Sequence, residues 1–141
     1  MFGAFPTILI AVILYNLTVF GGGAAGHDIV ALLGQNFTLP MFSGDKWKIS
    51  LGDLFLFLAL CLLFIETIKA TRTTRREIIN HALSMLTFVG ALVEFLMLKG
   101  FGTSTFFFLM AMCLFDVVSG YTISIVAAKR DFSVAPHGND Y

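Results

Sequence analysis

The stretch Leu109–Ile125, LMAMCLFDVVSGYTISI, has the composition of a membrane helix with a carboxylate, Asp116, at its middle. Placing a charge at mid-bilayer costs about 2.5–3.5 kcal/mol on insertion scales. The wider run Thr105–Ala128 carries no other charge, and its Phe, Leu, Met, Val and Ile residues supply favourable terms that offset that cost. The side chain must then face protein or water rather than lipid.

Working outward, three more apolar runs approach the roughly 20 residues that a helix needs to cross a bilayer. Phe2–Phe20 has no charge, Leu51–Ile68 has Asp53 near its start and Glu66 near its end, and Ala82–Leu98 is interrupted by Glu94. These runs predict an all-α membrane protein, an antiparallel bundle of four transmembrane helices over residues 2–20, 51–68, 82–98 and 105–128, with a polar tail over 129–141. A cleaved signal peptide competes for the first run, because GGGAAG at Gly21–Gly26 offers small residues for cleavage. No Lys or Arg precedes that run, and it is longer than a signal core, so a retained span is expected. Gly21–Gly23 reads as a flexible exit from it.

Composition agrees. The 141 residues are 57% hydrophobic and 13% charged, with a mean hydropathy of +0.88, whereas soluble domains carry about 25% charged residues. The expected partner is the lipid bilayer. Zero net charge gives no electrostatic case for nucleic acid. Cys61 and Cys113 fall in apolar runs and are expected to be buried, inert thiols.

Basic residues predict orientation. Lys69, Arg72, Arg75 and Arg76 cluster between the second and third runs, and Lys129 and Arg130 follow the fourth. The positive-inside rule puts that link and both termini in the cytoplasm. The link Gly21–Ser50 then lies outside. In it, Asp28 can cap a short helix ending at Gly34. Phe37, Leu39, Met41, Phe42 and the interfacial anchor Trp47 are expected at headgroup level, as a lid over one end of the bundle.

At about 1.5 Å per residue, Asn16, Asp53 and Glu94 share the outer third, while Asp116, Thr87 and Cys61 lie near the midplane. Asp53 can cap the start of its helix. Glu66, one turn from Lys69, reads as a solvated ion pair at the inner edge. Ser84, Thr87, Ala91 and Glu94 recur at helical spacing with Gly90 beside them, and Cys113, Asp116, Ser119 and Gly120 form a matching stripe. Small residues let membrane helices approach and polar ones bond across the contact. The third and fourth helices are therefore expected to pack along these stripes, with Asp116 opposite Thr87. There Asp116 acts as a hydrogen-bonding clamp, within or between subunits, as a proton or cation site, or as a partner contact, such as one with an Arg from another subunit.

There is no phosphate-binding loop, no nucleophile with a nearby base and no metal-ligand spacing. His27, His81 and His137 all fall away from the span centres, against a haem held within the bundle. No enzyme activity, cofactor or metal is expected.

LGDLFLFLALCLLFIETIKATRT, HALSMLTFVGALVEFL and TSTFFFLMAMCLFDVVSGYTISI, covering most of Leu51–Val126 with Glu66, Glu94 and Asp116, resemble a group of small four-span bacterial inner-membrane proteins of unassigned function. The resemblance implies a bacterial inner membrane and a four-helix bundle, and it brings no activity or site residues. The expected role is an integral membrane interaction protein, an accessory subunit of a larger complex or a small homo-oligomer. The alternative is an oligomeric proton- or cation-linked transporter or channel using the intramembrane carboxylates.

Overall fold

The computed structural model describes residues 5–71 and 75–133. The chain runs through α1 (Ile8–Ala24), α2 (Ile29–Leu33), β1 (Asn36–Pro40), β2 (Lys46–Ser50), α3 (Leu51–Ala70), α4 (Arg75–Met97) and α5 (Ser104–Ser133). Among the described residues, three helical stretches are long and apolar enough to cross a membrane: Leu51–Ala70, Ile79–Met97 and Ser104–Val126. The fourth apolar helix, α1, has 17 residues, or about 25 Å at 1.5 Å per residue. It lies at the short limit for a span.

Two boundaries differ from those expected. Helix α1 begins at Ile8, after Pro6, and continues through Gly21–Gly23; residues 2–4 of the expected span lie outside the described residues. The run is helical despite the poor propensity of glycine, and within it Gly22 lets α2 approach closely, since a Cβ there would lie 3.0 Å from Ile29 Cδ1. Helix α5 continues past Ala128 to Ser133, so Lys129 and Arg130 belong to the helix. The remaining tail, 134–141, lies outside the described residues.

Helix α5 is the hub. It packs along α3 on one side and α4 on the other, while α1 lies against α3, α4 and α5. The core is densest toward the end where the hairpin sits. There Tyr15 is fully buried, with its ring centroid 4.7 Å from Phe106, 5.7 Å from Phe101 and 5.8 Å from Phe55. Its hydroxyl lies 2.6 Å from Thr103 Oγ1. Gly100 makes the turn after α4 with φ 93, a backbone conformation that L side chains rarely adopt.

The link after α1 contains the short helix read from the sequence. Asp28 caps α2 by accepting from the Val30 amide, and Gly34 ends it. Ile29 and Leu33 bury into the core. An all-α fold is nevertheless incomplete, because β1 and β2 form an antiparallel hairpin in which Phe37 faces Ile49 and Leu39 faces Trp47. Alternation along NFTLP and KWKIS suits paired strands. The hairpin itself does not pack onto the core: β1 is exposed throughout and β2 over Lys46–Lys48, with Phe42 at the tip fully exposed. It is α2, not the hairpin, that closes this end of the core. Helix α3 starts directly from β2 through a capping box: Ser50 Oγ accepts from the Asp53 amide at 3.0 Å, and Asp53 Oδ2 accepts from the Ser50 amide at 2.8 Å.

Candidate functional site

The polar side chains buried within the helices are Glu66, Asn80, His81, Ser84, Thr87 and Asp116. They extend from the end opposite the hairpin to the middle of α5. They come from α3, α4 and α5, and α1 is tied in through Thr7.

Glu66 anchors one end. It is 1% exposed, which corrects its reading as a solvated group. One carboxylate oxygen, Oε2, accepts from the Thr7 amide and the Thr7 hydroxyl, both at 2.6 Å, and from Lys69 Nζ at 3.0 Å. The other, Oε1, accepts from Asn80 Nδ2 and from Lys69 Nζ at 3.2 Å. Lys69 also donates to the Phe5 carbonyl at 2.7 Å. The knot thus joins the start of α1, the end of α3 and the start of α4. The ion pair with Lys69 expected from the sequence is present, inside the protein rather than in water. Arg72 lies outside the described residues. Arg75 and Arg76 open α4.

His81 follows along α4, just before the expected start of the third span at Ala82, and is 5% exposed. Its Nε2 lies 2.9 Å from Ser124 Oγ on α5, and its ring centroid lies 5.6 Å from that of Tyr121. Gly120 makes room for it: a Cβ there would stand 2.5 Å from His81 Cε1 and Nδ1. Asn80 and His81 were legible as one more step back along the Ser84–Thr87–Ala91 stripe. A span taken to begin at Ala82 cut them off.

Ser84, Thr87 and Ala91 on α4, and Cys113, Asp116 and Gly120 on α5, all face inward. Gly90 is exposed and Ser119 half-buried, the latter with its hydroxyl on the Asp116 carbonyl at 3.1 Å. Thr87 does not reach Asp116; its hydroxyl donates to the Leu83 carbonyl of its own helix at 2.8 Å. Ser84 is the neighbour of Asp116, yet neither Ser84 Oγ nor Asp116 Oδ2 completes a hydrogen bond. Asn80 Oδ1 is likewise buried without a partner. Buried polar atoms are nearly always paired. This seam holds three that are not, each an oxygen able to accept from water, a protonated group or a cation.

Other candidates fall elsewhere. Asn16 Nδ2 donates to Glu94 Oε2 at 3.1 Å and to the Val12 carbonyl at 3.0 Å, linking α1 to α4 toward the hairpin end. Asp53 is exposed and its carboxylate serves the α3 cap. Trp47 is exposed on β2. Cys113 is buried, but Cys61 is exposed on α3, contrary to expectation. Among the described residues, no three His, Cys, Asp or Glu side chains are grouped to hold a metal ion. No family model, no curated protein and no solved structure matches the chain.

Proposed function

We propose that the chain is a four-span protein of a bacterial inner membrane, with both termini cytoplasmic, and that it works as an interaction protein, an accessory subunit or a small homo-oligomer. Its resemblance to small four-span bacterial inner-membrane proteins supports the location, and the Lys69–Arg76 cluster supports the orientation. The observation that carries the role is the hairpin. The pairing Phe37–Ile49 and Leu39–Trp47 gathers four apolar side chains on one face, and Met41 and Phe42 follow in the turn at the tip. Phe37, Leu39, Met41, Phe42 and Trp47 are all exposed. A two-stranded sheet is marginal by itself, and its outer strand edges are templates for another strand. Such a surface suits a second chain that covers the apolar face and extends the sheet.

Native mass spectrometry of protein extracted gently at natural abundance tests this. A stoichiometric complex, with other subunits or with copies of itself, is expected, and Leu39→Lys should dissociate it. A lone monomer in every gentle detergent would refute the reading.

A second reading, an oligomeric proton- or cation-linked carrier, is favoured by the unpartnered Asp116 Oδ2, since ionisable groups in spans often mark ion pathways. It requires pH-dependent flux in proteoliposomes that Asp116→Asn abolishes. No flux from the wild-type protein would end it.

A further inference from the structure

At the hairpin end, an open cavity of about 950 Å³ lies where the end of α1, the start of α2, the end of α4 and the turn into α5 converge. Val19, Phe20, Ile29, Phe95 and Leu98 line it with apolar surface, and Lys99 and Asp28 supply opposite charges. The volume falls at the upper end of small-ligand sites, about 300–1,000 Å³. A purely apolar occupant would leave both charges unused. A purely anionic head would meet the Asp28 carboxylate.

We propose that this cavity is a site for one phospholipid with a zwitterionic phosphate–ammonium headgroup, the phosphate held by Lys99, the primary ammonium by Asp28, and an acyl chain lying against Phe20, Phe95 and Leu98. Asp28 keeps acceptor capacity for the ammonium, because its α2 cap uses Oδ1 for the Val30 amide at 3.1 Å and a carboxylate accepts at both oxygens. The lipid comes from the leaflet at the hairpin end, which the cavity meets at the ends of α1 and α4. The site depends on membrane embedding alone and not on any oligomer or flux.

Two residues make the test clean. Gly23 lines the cavity, and a Cβ on it meets nothing within 4 Å, so the side chain of Gly23→Leu starts in open space at the cavity wall, and Leu favours the helix over Gly. Asp28→Asn keeps the cap, since Asn caps as well as Asp, but removes the negative charge. Native mass spectrometry in delipidating detergent, with phosphatidylethanolamine, phosphatidylcholine and phosphatidylglycerol added in equal amounts, reads the occupant. Wild-type protein is expected to retain one phosphatidylethanolamine in about threefold preference over each of the others, the size that an ion pair at an open mouth supports. Asp28→Asn should erase the preference over phosphatidylcholine, Lys99→Gln should weaken all three, and Gly23→Leu should abolish stoichiometric retention. Equal retention of the three lipids, or retention unchanged by Gly23→Leu, would overturn the proposal and leave ordinary annular lipid. A preference for phosphatidylglycerol that survives Asp28→Asn would overturn the headgroup assignment.

Discussion

The Glu66 knot allows a sharp test, because two substitutions separate its charge from its hydrogen bonds. Glu66→Ala removes the acceptor for the Thr7 amide, the Thr7 hydroxyl, Asn80 Nδ2 and Lys69 Nζ. Breaking a buried ion pair by removing one partner typically costs about 3–5 kcal/mol. Lys69 is 20% exposed and keeps its bond to the Phe5 carbonyl, so its charge is not stranded and the lower figure, about 3 kcal/mol, applies. Glu66→Gln retains one oxygen for the two Thr7 donors. Its new NH₂ would face Asn80 Nδ2, but Asn80 can rotate its amide and present Oδ1, which has no partner in the wild-type protein. What is lost is the difference between charge-assisted and neutral hydrogen bonds, about 1–2 kcal/mol. The expected order of stability is therefore wild type, then Gln, then Ala, read as reversible unfolding in mixed micelles with increasing dodecyl sulfate and followed by far-UV circular dichroism. Thr7→Val should cost less in the Gln background than in wild type, because the two side chains share one bond. If Ala and Gln both stayed within about 0.5 kcal/mol of wild type, the range of an ordinary surface substitution, Glu66 would be a solvated group and the knot would not exist.

The seam and the aromatic core make three further predictions. Gly120→Ala gains up to about 1 kcal/mol of helix propensity but drives a methyl into the His81 ring; the overpacking, about 1–3 kcal/mol, should win, and a more stable Gly120→Ala protein would show that His81 does not lie on Gly120. Tyr15→Phe should cost about 1 kcal/mol, one buried hydrogen bond, by the same unfolding assay; no loss would mean that the contact with Thr103 contributes nothing. Asp116→Leu and Asp116→Asn separate a clamp between α4 and α5 from a titrating site: a clamp is weakened by Leu and spared by Asn in the unfolding assay, whereas a titrating site loses flux with both.

What was legible in the sequence was local. Asp28 and Gly34 bracket five residues, and capping chemistry alone places α2 between them. The α4 and α5 stripes were legible because helical spacing keeps residues on one face. The hairpin was missed for a definable reason: Phe37, Leu39, Trp47 and Ile49 alternate with polar residues at the period of a strand, but in a membrane chain the same apolar residues are equally accounted for by the headgroup layer. Thr7 and Glu66 lie 59 residues apart, and no periodicity carries that contact. The i,i+3 spacing of Glu66 and Lys69 was visible. That Asn80 and Thr7 close over the Glu66 carboxylate was not.

The seam also bears on which role is better supported. From the Glu66 end, polar side chains continue through Asn80, His81 and Ser84 to Asp116. From the hairpin end they reach inward to Asn16 and Glu94. Between Asp116 and Glu94 stand Ala91, Leu109 and Cys113, each 2% exposed or less. A proton or cation crossing one copy would have to pass through this apolar plug, which offers it no fixed hydrogen-bonding partner and so imposes the desolvation cost of a bare charge. Transport therefore requires α4 and α5 to separate, yet the His81–Ser124 bond and the fit of the imidazole against Gly120 hold them together. The same features suit a rigid body whose helices are fixed from within and whose exposed hairpin makes contact with other chains. The oxygens of Asn80, Ser84 and Asp116 lie along this seam without a partner in the protein. Replacing Ser84 by Ala removes one of them, a buried hydroxyl that makes no hydrogen bond. If the seam is a static joint, that change leaves the assembly intact and costs little stability; if it is a pathway, it alters flux first.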